Sequence, residues 1–107
     1  MIAVLDPDEA LREALRFSLE TEGYRVRAFG AARELLACAA YLGAACFVID
    51  EAGCDPQLRV MLARQRAPVI LLSGRPERVR AGGRMAIVEK PLVTDALSRR
   101  IASVLAG

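Results

Sequence analysis

Ala45-Cys46-Phe47-Val48-Ile49-Asp50 is a short, uncharged, β-rich run that climbs to a carboxylate and stops there. Such a run reads as a fully buried central strand. Asp50 then stands at its carboxyl end, where open α/β sheets bind ligands and place reactive groups. The rest of the chain is read by asking which other strand ends bring matching chemistry to Asp50.

Composition narrows the field first. At 107 residues the chain is expected to form one domain, residues 1–107, with a single core. Hydrophobic residues make up 54% and charged residues 26%, the balance of a globular chain rather than a disordered one. Asp6, Asp8 and Glu9 follow Met1 too closely for a signal peptide, and the uncharged stretch from Leu35 to Ile49 is too short for a membrane span. Cys38, Cys46 and Cys54 are odd in number and lack metal-ligand spacing, so they are expected to be buried, reduced thiols of a cytoplasmic protein. The absence of histidine excludes His-based catalysis, His-built zinc sites and a phosphohistidine carrier. A net charge of +2 is too weak to argue for nucleic acid. Of the 15 basic residues 14 are arginine, which singles out Lys90, the sole lysine.

Working outward from the central run, Ile2-Ala3-Val4-Leu5 is a first apolar strand closed by Asp6. A helix follows with Leu11, Ala14, Leu15, Ser18 and Leu19 on one face and Gly23 as its stop. Asp6 is expected to cap it, with Pro7 first in the helix and Asp8-Glu9 in its first turn. Tyr24 to Phe29 alternates as a half-covered strand, and Gly30 leads into an Ala-rich helix through about Ala40. After the central strand, Asp55-Pro56 opens a short helix to about Arg66. Pro68 to Leu72 is the fourth strand, ending at Ser73-Gly74. Arg75 to Gly83 leaves room for about two helical turns at most. Met85 to Val88 is the fifth strand, ending at Glu89-Lys90-Pro91. Thr94 caps a last helix with Leu97, Ile101, Val104 and Leu105 as core face. Five strands alternating with five helices predict a doubly wound, mostly parallel sheet, although the pattern alone leaves the strand order open.

Asp6, Asp50, Ser73 and Lys90 thus stand at the carboxyl ends of four strands, which share one edge in a parallel sheet. Two carboxylates can hold Mg²⁺ together with phosphate oxygens. A carboxylate can also accept a phosphoryl group, whose oxygens a hydroxyl and an ammonium can hold.

The chain resembles a response-regulator receiver domain of two-component signalling over essentially its whole length. The resemblance rests on Ile2-Ala3-Val4-Leu5-Asp6 with Asp8-Glu9-Ala10-Leu11-Arg12, on Phe47-Val48-Ile49-Asp50, on Pro68 to Gly74, and on Glu89-Lys90-Pro91-Leu92. It implies a flavodoxin-like five-stranded parallel sheet of order 2-1-3-4-5. It also implies that Asp50 is the phosphoacceptor, Ser73 the switch hydroxyl and Lys90 the phosphate-binding lysine of a phosphorelay. Mg²⁺ would be held by Asp6, Asp50 and the backbone carbonyl of Ala52, and the Lys90-Pro91 bond would be cis. Partners would be a histidine kinase or phosphotransfer protein and a downstream protein, with no membrane. The chain itself would not be an enzyme, because the partner supplies the phosphohistidine.

Departures from the family pattern are equally specific. Pro7 stands where a second metal-side acid is usual, and losing a carboxylate about 4 Å from a divalent ion forfeits several kcal/mol at an effective dielectric near 20. This predicts weak or absent Mg²⁺ binding. Asp8 could replace the missing ligand, but its place in a helix start is the simpler reading. Cys54 replaces a usual proline, the third and fourth helices are shortened, and Ile87 replaces the usual aromatic switch residue. These features define an alternative, a pseudo-receiver serving as a phosphorylation-independent interaction module. Arg75, Arg78, Arg80, Arg84, Arg99 and Arg100 read as a solvated face, with an acidic partner surface as second choice. Nucleic acid is not expected, since no output domain follows Gly107 in this sequence, and a homodimer stays open. A nucleotide- or flavin-binding role is disfavoured because no Gly-rich loop follows the first strand.

Overall fold

Short apolar strands at the expected places pair side by side in a computed structural model, which describes residues 1–75, 85–90 and 96–106. The strands are β1 (Ile2–Leu5), β2 (Val26–Phe29), β3 (Cys46–Asp50), β4 (Val69–Ser73) and β5 (Met85–Glu89). All pairings are parallel, in the order β2-β1-β3-β4-β5. This is the flavodoxin-like order, with the reversal of winding between β1 and β3. Every residue of β1, β3 and β4 is buried, which explains why these strands read as continuous apolar runs rather than alternating ones.

Alternate side chains feed two layers of core. Ile2, Val4, Cys46, Val48, Ile70 and Leu72 pack on one face with Leu15 and Leu19 of α1 (Glu9–Thr21) and Leu97 and Ile101 of α4 (Ala96–Ala106). Leu5, Phe47, Ile49 and Leu71 pack on the other with Leu35 of α2 (Ala32–Ala37) and Leu58, Met61 and Leu62 of α3 (Pro56–Ala63). The edge strand β2 keeps the expected alternation, with Tyr24, Val26 and Ala28 against the α1–α4 layer and Arg27 exposed. Among the described residues no helix is long and apolar enough to cross a membrane.

Several helix boundaries differ from the sequence reading. The first helix is capped by Asp8, not Asp6: its carboxylate accepts the Leu11 N–H, and its carbonyl takes the first helical bond from Arg12. Asp6 instead accepts the Asp8 N–H across Pro7, an Asx turn in which proline's fixed φ suits the intervening position. Ala14 and Ser18 are exposed, so the buried stripe of α1 is Leu11, Leu15 and Leu19. The second helix stops at Ala37, because Cys38 turns extended and a 3-10 turn over Ala39–Gly43 follows. In a continuous helix Tyr41 would be rotated about 240° from Leu35; the break returns it to the same core layer. The third helix ends at Ala63 rather than Arg66, since Pro68 needs an extended approach to β4. Leu105 is 40% exposed, because only Val104 of the last turn stays in line with Leu97 and Ile101. The helix expected within residues 75–83, the Thr94 cap and the Lys90-Pro91 bond lie outside the described residues.

Candidate functional site

The sheet register assembles the site. Leu5 pairs with Ile49, so Asp6 and Asp50, one residue further along each strand, come side by side at the point where the winding reverses. Asp50 pairs with Leu72 and Ser73 with Glu89, which brings Ser73 and Lys90 in from the other flank. The Lys90 N–H donates to the Ser73 carbonyl at 2.8 Å, extending the ladder just past the strand end. Asp6, Asp50 and Ser73 are the buried polar residues of the described chain, exposed by 1%, 3% and 1%. Polar side chains so enclosed on an apolar sheet cost stability unless paired, which marks this edge as the candidate site.

Asp50 is fully engaged. Its Oδ1 accepts the Ala52 N–H at 2.9 Å, and its Oδ2 accepts from Lys90 Nζ at 2.6 Å. That ammonium is held charged to higher pH than usual, first by its hydrogen bond to Asp50 and then by the charges of Asp50, Asp6 and Asp8, against a lowering from partial burial. Ala52 belongs to a 3-10 turn over Glu51–Gly53, so its carbonyl follows Asp50 by two residues as the resemblance implies.

Asp6 is only half satisfied. Its Oδ1 accepts from Asp8, but its Oδ2 is buried with no partner among the described residues. Burial is the main cause raising its pKa, and the neighbouring Asp50 charge raises it further, with the Asp8 N–H and Lys90 opposing. The Asp6 carbonyl accepts from Arg12 Nη1 at 2.9 Å, which ties the residue to α1. Pro7 does not leave an open gap. Its ring lies where a Cβ on Gly53 would meet it at 3.1 Å, so the turn after Asp50 closes over the proline because residue 53 has no side chain.

An orphaned anionic oxygen beside a second carboxylate is the donor set of a hard divalent cation. Asp6, Asp50 and the Ala52 carbonyl therefore fit Mg²⁺. Among the described residues no group of three or more His, Cys, Asp or Glu side chains converges on one point, so a cation would rest on two carboxylates, the Ala52 carbonyl and water. Asp8 spends one carboxylate oxygen on its helix cap and stays exposed.

Ser73 shows a contact that the sequence reading missed. Its hydroxyl donates to Glu51 Oε2 at 2.7 Å and accepts the Arg75 N–H at 2.9 Å. The sequence marks Glu51 only by its adjacency to Asp50, since an acidic residue just past a strand end has the pattern of solvated charge. Ile87, in place of the expected aromatic, is half-buried and lines a shallow cleft with Val88, Arg99 and Arg100.

No protein-family model matches the sequence, and no curated protein matches it. Solved structures do. The chemotaxis response regulator CheY4 of Vibrio cholerae superimposes with a TM-score of 0.83 at 20% identity, covering 96% of each chain. The receiver domain of the hybrid histidine kinase CckA gives 0.81 at 21% identity, covering 97% of each. FixJ from B. japonicum gives 0.77 at 27% identity, over 98% of this chain and 57% of that one. The fold is therefore that of CheY-like receiver domains along nearly the whole chain.

Proposed function

We propose that this chain is a response-regulator receiver that takes a phosphoryl group on Asp50 from the phosphohistidine of a histidine kinase or phosphotransfer protein. The observation that carries the reading is the pair of buried Asp50 and half-buried Lys90 at the reversal of the sheet, 2.6 Å apart. In the transfer an Asp50 carboxylate oxygen attacks phosphorus, the partner's N–P bond breaks, and its electron pair stays on the imidazole, which then takes a proton from solvent. Asp50 supplies a fixed nucleophile, since the Ala52 N–H and Lys90 hold its two oxygens in place. Lys90 offsets the negative charge that builds beside it, and the hydroxyl of Ser73, at the end of the neighbouring strand, is assigned to receive the transferred group. Mg²⁺ held by Asp6, Asp50 and the Ala52 carbonyl would supply further neutralisation of phosphoryl oxygens. The partner brings the activated phosphorus, so the chain acts as acceptor rather than as an enzyme. Its phosphorylated form would be read by a downstream protein. All three thiols are free, which supports action in the reducing cytoplasm, but only Cys46 is buried as expected; Cys38 and Cys54 are half-buried.

Incubation with acetyl phosphate and Mg²⁺ followed by intact mass tests the reading. A gain of one phosphoryl group is expected in the wild type and none in Asp50→Ala. No gain at saturating Mg²⁺ would overturn it and leave an interaction module that works without phosphate.

A further inference from the structure

A serine hydroxyl has one proton to donate, and that of Ser73 is already given to the Glu51 carboxylate at 2.7 Å. The oxygen also accepts the Arg75 N–H, so the hydroxyl is fixed from both sides and enclosed, with 1% of the residue exposed. It cannot at the same time donate to a group on Asp50. Glu51 offers Ser73 what a phosphoryl group would offer: an anionic oxygen acceptor, carried by the residue that directly follows Asp50. Glu51 itself is only partly buried, so its carboxylate can leave for water without being stranded.

We propose that Glu51 is an internal stand-in for the phosphoryl group, a latch that holds Ser73 while Asp50 is unmodified. The inference rests on Asp50 as phosphoacceptor. Added negative charge on Asp50 repels the adjacent Glu51 carboxylate and offers Ser73 a competing acceptor, so both effects open the latch together. Ser73 then turns to the phosphoryl oxygens, and Glu51 moves outward on the turn between β3 and α3. The signal a partner would read is this exchange of one acceptor for another at the end of β4. It needs no swinging aromatic, which suits a chain with Ile87 at the place of that ring.

The latch must make an acceptor group on Asp50 compete for Ser73. Beryllofluoride, a phosphoryl analogue that coordinates to a carboxylate, serves as probe in the full chain with Mg²⁺, its binding followed by fluorine NMR. Glu51→Ala should tighten binding about tenfold, the size of one charge-assisted hydrogen bond partly replaced by water. Glu51→Gln, which keeps an acceptor for Ser73 without the charge, should gain less. The decisive arm is Glu51→Ala in a Ser73→Ala background, where the gain should vanish. A gain that survives there means that Glu51 acts only by charge repulsion and overturns the latch, as does unchanged affinity in Glu51→Ala.

A second readout needs no ligand. The Ser73 hydroxyl proton should exchange slowly enough to be seen by NMR in the wild type and be lost in Glu51→Ala. Its absence from the wild type overturns the contact itself. If the proton is seen but no variant binds beryllofluoride, the phosphoacceptor reading fails, and the latch falls with it for that separate reason.

Discussion

The two halves of the polar pocket are built from the same kind of group and are left in opposite states. On the β3–β5 side, Asp50 has a partner for each oxygen, one of them a cation. On the β1 side, Asp6 is as deeply buried but keeps one oxygen with no partner among the described residues, and Pro7 follows it directly. One half is a finished ion pair; the other is a carboxylate with one oxygen unpaired among the described residues. The difference teaches that a proline at position 7 leaves Asp6 uncompensated, because its carboxylate stays buried beside a ring that offers it no hydrogen-bond donor.

The largest test breaks the finished half. Lys90→Met leaves Asp50 enclosed beside Asp6 without its cation. Loss of one partner from a fully buried pair costs roughly 3–5 kcal/mol; here about 2 kcal/mol is expected, since water reaches part of the lysine. The Lys90 side chain is 31% exposed, against 4% for Asp50. Urea unfolding in metal-free buffer measures the loss, and saturating Mg²⁺ should restore part of it. Unchanged stability would mean that the pair is an incidental contact and that the two halves do not differ in the way described.

How far the pocket could be read from sequence depends on what kind of signal each residue carries. Asp50, Ser73, Lys90 and Asp6 each end an apolar run, and strand ends of a parallel sheet must meet, so their convergence was legible. The strand order came from resemblance, since periodicity is blind to which strand lies beside which. Two aspartates flank Pro7, and each alone would make a good helix cap. The structure assigns the cap to Asp8 because the Asp6 side chain is turned into the pocket. Ala14 and Ser18 are small enough to fit either a core or a surface, so the helical period could not exclude them. Glu51 was illegible for a different reason: its contact with Ser73 joins residues 22 apart in sequence across neighbouring strands, and no local pattern encodes such a pairing.

The next test sharpens the unfinished half. Pro7→Asp adds the carboxylate that the position lacks and should tighten Mg²⁺ binding about tenfold, most of the Coulomb gain being offset by desolvation. The same change should lower stability in the absence of metal. It adds a third negative charge near Asp6 and Asp50, and it frees a backbone that proline had restrained. Calorimetric Mg²⁺ titration together with melting in chelator reads both signs. Equal affinity in the two proteins would shift the blame to the turn after Asp50, where Gly53 lies against the proline ring.

The smallest expected effect concerns Asp6 itself. Its pKa lies above the usual 3.8, chiefly through burial, so folding favours its neutral form. At neutral pH the ionised side chain therefore subtracts from stability, and this penalty is relieved as pH falls through the folded-state pKa toward 3.8. Asp6→Asn should stabilise the metal-free chain at pH 7 by about 1 kcal/mol, the scale of one unsatisfied buried polar atom. It should also flatten this acid-side contribution and abolish the stabilisation that Mg²⁺ gives the wild type. Melting curves with chelator and with Mg²⁺, taken from pH 7 down to pH 4, separate the three effects. A variant less stable than wild type in chelator would show that Asp6 is already compensated where it stands, and the two halves of the pocket would then be equivalent after all.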